Sequence, residues 1–444
     1  MDTEKQTKVT AKFGGTSNAN AEQIKKVVDI ILNKSKARFI VVSAPGKRFP
    51  SDVGITNLLI IISGLIKKNK SWAKEWTQVH ARFEDIILGL KIESQTPLLL
   101  LNEVYELITH NSNYDFIVRF GEYIQAQILT MYLKSLNQNV VFIDTANCIF
   151  FNEEGGIDEE RTYKAILSLT QDENKIYVFP GFYGTDHKGD IKVFSRGGSD
   201  LTGAIVAVAT GSDVYKNWTD VDGFCTGNPV EVSNTRVIKE MSSTQARILS
   251  YSGAGVLHES TMPFLKKNNM VLHICNTNNP EGEGTKIYPE LDYRTEGIVG
   301  VVGRKKCTVV TVEKMGAHDE KNFGARFYKV IADCGISYEA ELSGTDESGA
   351  VILNHQFEDC SLDTLKSKLQ EVLCPDKITV HENVGVINTI FYDSINFSYI
   401  LLELAINGIH VKDCSRVRSG QLTMILDEED VSKAVSVIHK RFFG

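Results

Sequence analysis

Val9-Thr10-Ala11-Lys12-Phe13-Gly14-Gly15-Thr16-Ser17 is a short β-forming run that ends in a lysine, two glycines and two hydroxyls. A helical pattern follows at once, with Ile24, Val27, Val28 and Ile31 spaced for one face. A strand, a glycine turn and a helix open an α/β unit, and such units hold ligands at the carboxyl ends of their strands. Glycines let backbone N–H groups approach an anion closely. A lysine is a compact, mobile charge that can follow phosphate oxygens, and a helix N-terminus adds positive potential. The segment therefore reads as a phosphate cradle. A Gly-Gly turn also serves as a plain connection, so the rest of the chain must decide between the two.

Working outward, strands and helices alternate from residue 9 to about residue 275. Strand patterns lie at Phe39–Ser43, Val140–Asp144, Ile176–Pro180, Val214–Trp218 and Val271–Cys275. Helical patterns lie at 20–33, 53–67, 71–90, 97–110, 119–136, 160–169, 199–209, 243–250 and 256–268. This alternation predicts an α/β fold, a mostly parallel sheet sandwiched by helices. Asn276-Thr277-Asn278-Asn279-Pro280-Glu281-Gly282-Glu283-Gly284 is turn-rich and marks a boundary. Beyond it a rough repeat predicts a C-terminal α+β pair of βαββαβ modules, the second shortened. The expected domains are 1–293, 300–382 and 383–444, the last either following the second or interlaced with it. The final helix is signalled by the acidic run Asp427-Glu428-Glu429-Asp430 and by Lys440-Arg441.

Bulk composition narrows the function classes. Of 444 residues, 42% are hydrophobic and 23% charged, an ordinary balance for a globular chain of two or three domains. The net charge of −8, with no basic tract, argues against a nucleic-acid partner. Met1-Asp2-Thr3-Glu4-Lys5 is polar, and runs such as Leu58-Leu59-Ile60-Ile61-Ile62 are too short to span a bilayer. A cytoplasmic location with no membrane partner is expected. The eight cysteines form no C-x-x-C pair and read as reduced thiols, so no metal site is expected.

Further segments bear on the cradle. Ser43-Ala44-Pro45-Gly46-Lys47-Arg48 ends in two cations, and Gly54-Ile55-Thr56-Asn57 opens a helix with a hydroxyl in its first turn. Arg119-Phe120-Gly121-Glu122 sets opposite charges three apart, which a surface ion pair explains equally well. Phe194-Ser195-Arg196-Gly197-Gly198-Ser199-Asp200 is the strongest segment: an arginine, whose fork matches a carboxylate, precedes a second Gly-Gly turn and a small-residue helix. Ser199 also suits a helix N-cap. Trp218-Thr219-Asp220-Val221-Asp222-Gly223 ends another strand, where a base or ribose pocket or a plain Asp-Gly turn fits. No Walker A or protein-kinase signature is present. Two Gly-Gly turns, one with Lys12 and one with Arg196, suggest two anionic ligands facing each other, a nucleoside triphosphate and a small carboxylate.

These segments, together with Gly121-Glu122, Pro180-Gly181-Phe182 and Gly284-Thr285, occur in the order found in aspartate kinases, and the chain resembles that family of the amino-acid-kinase superfamily along nearly its whole length. The C-terminal modules look like its ACT pair. The resemblance implies transfer of the γ-phosphoryl of ATP to the β-carboxylate of L-aspartate, with Mg²⁺ bridging the phosphates, as a first step towards lysine, threonine and methionine. It implies that Lys12 meets the transferring phosphate and that Arg196 holds the α-carboxylate. Ser43, Thr56, Glu122, Gly197, Gly198 and Ser199 would complete the aspartate pocket, with Asp200 positioning the lysine or the substrate. Lys12, Phe13, Gly14, Gly15, Thr219, Asp220 and Cys225 would face the nucleotide.

The chain departs from the family pattern in places. Cys225, Asn228 and Val230 stand where a tyrosine, an aspartate and an arginine are usual, and Gly255 stands where a lysine is usual. In the ACT pair, the resemblance assigns an amino-acid effector, lysine first and threonine second, to Asn322, Phe323, Gly324 and Ser343. A cap and a turn account for the same residues. A homodimer or higher homo-oligomer is implied through the ACT modules. Two other readings stand beside this one: a related kinase with another carboxylate acceptor, and a catalytically weak amino-acid sensor.

Overall fold

The computed structural model describes residues 7–194, 197–250, 256–258, 261–291, 297–358, 360–391, 397–417 and 420–444. They form two compact units. The first takes the described residues up to Phe224, then Val237–Ser250 and those on to Leu291; the second takes Cys225–Arg236 and the described residues from Gly297 onward.

In the first unit the strands are β1 (Val9–Phe13), β2 (Phe39–Val42), β3 (Val140–Phe142), β4 (Ile176–Pro180), β5 (Tyr183–Thr185), β6 (Ile191–Val193), β7 (Val214–Thr219), β8 (Glu240–Ser242), β9 (Leu272–Asn276) and β10 (Thr285–Tyr288). Eight of them make one sheet in the order β3-β4-β2-β1-β7-β9-β10-β8. All its neighbours are parallel except β9 and β10. The helices are α1 (Ala21–Asp29), α2 (Ile55–Lys67), α3 (Ala73–Gly89), α4 (Thr96–Thr109), α5 (Tyr114–Val118), α6 (Phe120–Ser135), α7 (Glu159–Leu169), α8 (Gly198–Ala209), α9 (Ser243–Leu249) and α10 (Thr261–Lys267).

Strand alternation divides the core. Ala11, Phe13, Ile40 and Val42 pack under α1, α2, α3, α4 and α6, whereas Phe39, Val41, Tyr177 and Phe179 pack under α7 and α8. The sandwich expected from the alternation is thus present, with every strand end of β1, β2, β4 and β7 carried into a loop on one edge. The hairpin β5–β6, the short strands β8 and β10 and the one-turn helix α5 carry no periodic signal of their own. Asn20 caps α1 by accepting from the Gln23 N–H at 2.9 Å. Helix α8 tolerates a tight approach because a Cβ at Gly203 would lie 2.4 Å from the Tyr215 hydroxyl.

In the second unit one sheet runs β12-β13-β11-β14-β16-β15, with β11 (Ile298–Glu313), β12 (Ala340–Ser343), β13 (Glu347–Leu353), β14 (Lys377–Phe391), β15 (Asp413–Val417) and β16 (Gln421–Asp427). Its helices are α11 (Phe323–Asp333), α12 (Leu362–Leu373), α13 (Ser398–Ile406) and α14 (Val431–Phe443). Two long strands traverse it. Residues 307–313 of β11 lie between β13 and the first half of β14, with α11 and α12 over a core of Val310, Phe327, Ile352 and Leu369. Residues 298–304 lie beside the second half of β14, which pairs on its other edge with β16. The fourth strand of the C-terminal module therefore comes from upstream of the first, and the two modules interlace. The register shifts between Arg304 and Cys307, where Lys306 takes φ +60° and Asn383 of β14 takes φ +56°. The edge strands β12 and β15 are short, beginning at Ala340 and Asp413.

Candidate active site

The two Gly-Gly turns meet through one ion pair. Lys12, next to last in β1, sends its Nζ to Asp200 Oδ1 at 2.5 Å in the first turn of α8. Asn217, opposite Lys12 on β7, donates Nδ2 to the same carboxylate oxygen at 3.0 Å and lies 3.4 Å from the lysine through Oδ1. Lys12 is only 7% exposed, so its charge is held at the strand ends by a counter-ion and an amide rather than by water. Sequence reasoning missed Asn217, one of three polar residues in β7 with Lys216 and Thr219.

The Gly14–Gly15 turn is pinned from both neighbouring strands. Gly14 N donates to Trp218 O at 2.9 Å, Ser43 N to Phe13 O at 3.1 Å, and Gly46 N to Gly15 O at 2.8 Å. A Cβ at Gly46 would sit 2.7 Å from the Gly15 carbonyl carbon, so that loop touches the turn backbone to backbone. Gly121 makes a similar approach, 2.8 Å from the Ala44 Cβ, and brings α6 onto the loop. Glu122 follows it, 4% exposed, and its Oε2 meets no hydrogen-bond partner among the described residues. Burial pushes the Glu122 carboxyl up to about 8, against backbone bonds from Ala44 and itself and the nearby Lys12 charge. Arg119 does not pair with it. That guanidinium lies over the Phe116, Phe120, Tyr123 and Tyr183 rings and 3.8 Å from Asp144, a buried anchor rather than a surface pair.

The second turn is similarly tight. Gly197 takes φ +77°, and a Cβ there would lie 2.2 Å from that of His258. Gly197, not Ser199, is the N-cap of α8; Ser199 is buried one residue inside, its Oγ 2.5 Å from where a Gly181 Cβ would stand. Thr56 is half-buried in the first turn of α2, Thr219 ends β7 and Asp220 is exposed beside it. The structure thus gathers Lys12, Phe13, Gly14, Gly15, Ser43, Glu122, Gly197, Gly198, Ser199, Asp200, Thr219 and Asp220 at adjoining strand ends. Cys225 begins the stretch assigned to the second unit. Arg196 and Gly255 lie outside the described residues.

Beside the first turn a cleft of about 350 Å³ is lined by Thr16, Asn20, Lys47, Arg48, Asp220 and Asn278, among others. The loop carrying its cations is braced by Asp52, which accepts from Arg48 Nε at 3.0 Å and Arg82 Nη2 at 2.6 Å, while Arg82 Nη1 reaches Gly46 O at 2.9 Å. The Arg48 hydrogen bond, with Arg82 beside it, holds the Asp52 carboxyl well below the usual range. No single motif signals this brace, because Arg82 belongs to α3.

With this geometry in place, the profile of the amino acid kinase family matches residues 7–276. A crystal structure of Clostridium acetobutylicum aspartate kinase superposes with a TM-score of 0.86 at 32% identity, over 98% of this chain and 100% of that one. The chain belongs to the amino acid kinase family, among its aspartate kinases. Aspartokinase 3 of Bacillus subtilis is 28% identical over 384 residues, 85% of this chain and 84% of that protein. The fold is also that of E. coli aspartokinase III solved with aspartate and ADP, at a TM-score of 0.79 and 21% identity over 98% of this chain and 100% of that one. As a member of this family the chain is a phosphotransferase.

In the second unit the candidate effector residues also cluster. Asn322 takes φ +64° at the start of α11, and Phe323 is buried behind it. A Cβ at Gly324 would meet Ser348 Oγ at 3.5 Å, and Ser348 pairs with Ser343 across the β12–β13 hairpin. Among the described residues no helix is long and apolar enough to cross a membrane.

Proposed function

We propose that this chain transfers the γ-phosphoryl of ATP to the β-carboxylate of L-aspartate, giving 4-phospho-L-aspartate and ADP. The observation that carries the reading is the Lys12–Asp200 pair, which joins the two anion-binding turns through one buried cation. A β-carboxylate oxygen attacks the γ-phosphorus, the bond to the β,γ-bridging oxygen breaks, and ADP leaves with that electron pair. The attacking carboxylate is already ionised at neutral pH, so no general base is required. The difficulty is the meeting of two anions, and the remedy is positioned positive charge. Lys12 supplies it at the transferring group, while Asp200 and Asn217 fix where its ammonium stands. On sequence grounds Arg196 holds the α-carboxylate. The unpartnered Glu122 oxygen suits the substrate ammonium, with Ser43, Thr56 and the Gly197–Ser199 turn around it.

Thr219 and Asp220 face the nucleotide, and Lys47 and Arg48 add positive potential where its phosphates enter. Among the described residues no three His, Cys, Asp or Glu side chains converge to cage a cation. That donor set fits a Mg²⁺ carried in by the phosphates and its own waters, which shields their charge when bound. The ACT pair would bind lysine, or else threonine, between the α11 start and the β12–β13 hairpin, and lower activity by favouring one state of a homo-oligomer.

The test is aspartyl-hydroxamate formation from L-aspartate, Mg·ATP and hydroxylamine. Aspartate-dependent product is expected in the native protein, with a fall on the order of 10²–10³-fold in Lys12→Ala and Arg196→Ala. Absence of product at any ATP concentration would overturn the reading in favour of a different acceptor or an amino-acid sensor.

A further inference from the structure

All three carbonyls of the phosphate turn point into the protein. Phe13 O accepts from Ser43 N and from Asn18 Nδ2, each at 3.1 Å. Gly14 O accepts from Asn18 Nδ2 at 2.9 Å, and Gly15 O accepts from Gly46 N at 2.8 Å and Asn18 N at 3.1 Å. In a planar trans peptide the C=O and the following N–H point in opposite directions. The inward carbonyls of Gly14 and Gly15 therefore aim the N–H groups of Gly15 and Thr16 outward. Among the described residues neither N–H meets an acceptor. Two successive unused backbone donors are what an anion requires.

Asn18 makes three of these bonds and is fully buried. The two carbonyls it serves fix its Nδ2 towards the turn, and its Oδ1 accepts from Gln125 Nε2 at 3.1 Å. Gln125 is also fully buried, one turn after Glu122 on α6. The geometry points to Asn18 and Gln125 as positioning residues for nucleotide binding. Asn18 holds the Gly14 carbonyl inward and so aims the Gly15 N–H at a phosphate oxygen, and Gln125 locks the Asn18 amide. Neither touches the ligand. The inference rests on the reading of this turn as the phosphate site, and it ties the helix that bears Glu122 to the turn that bears Lys12.

Gln125→Met and Asn18→Val test it. Each exchanges a buried amide for an apolar side chain and leaves a buried partner without its bond, so a lowered melting temperature is expected in both and the split between the two KM values carries the test. Mg·ADP affinity by calorimetry and the KM for Mg·ATP should each weaken about tenfold, with the KM for aspartate within about twofold of native. Unchanged nucleotide affinity in both folded variants overturns the inference. So does a parallel rise in both KM values, the signature of a merely structural role. If Asn18→Val does not fold, Gln125→Met decides alone, since it leaves Asn18 in place. A native protein that binds Mg·ADP yet forms no aspartyl hydroxamate would refute only the choice of acceptor, and the ADP comparison would still decide this point. Failure of the native protein to bind Mg·ADP would overturn it.

Discussion

A carboxyl with one unpaired oxygen in a fully enclosed site is costly when ionised, which is why Glu122 keeps its proton to about pH 8. An unfolded chain releases that proton near 4.5. The group therefore favours the folded state fully below about 4.5, and that advantage is lost as the pH rises through about 8. A substrate ammonium reverses the balance, because it pairs with the ionised form. With Glu122 as the ammonium partner, aspartate must displace a proton at neutral pH. The KM for aspartate should then fall about fivefold to tenfold between roughly pH 7 and 8.5, while the KM for Mg·ATP changes little. Glu122→Gln should flatten that profile and raise the KM for aspartate at every pH. A native aspartate KM that is flat over this range would separate Glu122 from the ammonium. From spacing alone Glu122 reads as half of an ion pair with Arg119, three positions away; the resemblance sets it in the aspartate pocket, and the folded chain shows the two side chains facing different neighbours.

At the scale of elements, the site depends on loops that approach without side chains between them. Gly46 is the sharpest case, since the atoms a Cβ would strike are the Gly15 carbonyl group and the Thr16 nitrogen, all backbone. Gly46→Ala must push the β2–α2 loop and the phosphate turn apart, breaking the 2.8 Å bond between them. A stability loss of about 1–3 kcal/mol is expected by denaturant melting, with a disproportionate loss of Mg·ATP affinity. Gly64→Ala on exposed α2, where an added Cβ meets nothing within 4 Å, should be neutral or slightly stabilising and serves as the control. Most elements and both Gly-Gly turns were legible because local chemistry dictates them: apolar spacing for the helices, glycine where backbones touch. Asn18, Gln125, Asn217 and Arg82 were not. Each is a single polar side chain whose partner is supplied by a different element, and nothing in the neighbouring sequence marks it.

At the scale of the whole chain, linear order and spatial order diverge twice. The C-terminal module reads as shortened because its missing strand, residues 298–304, precedes the other module, a permutation that a repeat search along the sequence does not expose. The second divergence is Cys225–Arg236, which leaves the first unit after Phe224 and re-enters it at Val237. Phe224 O accepts from Ile238 N at 2.7 Å and closes the neck. Within the second unit, Thr226 O accepts from Val301 N at 2.9 Å, Thr226 Oγ1 lies 2.8 Å from His439 Nε2, and Val232 is buried in the core under α13 and α14. Burial, with Arg236 nearby, holds His439 below its usual pKa, so it sits neutral in that bond at pH 7. The turn proposed to face the nucleotide, Thr219–Gly223, directly precedes this strap. A chain ended at residue 291 keeps the substrate-side residues but strips the strap of Val301, His439 and that core. It should bind aspartate with near-native affinity and Mg·ADP on the order of tenfold more weakly, with faster amide exchange through 219–236. In the full chain Thr226→Val removes the His439 bond and the acceptor of the Arg236 N–H, 3.1 Å away, leaves a buried imidazole nitrogen without its partner, and should cost about 1–3 kcal/mol with a smaller shift in the same direction. If both changes leave nucleotide affinity native while 219–236 exchanges faster, the strap anchors the second unit and does not support the nucleotide turn.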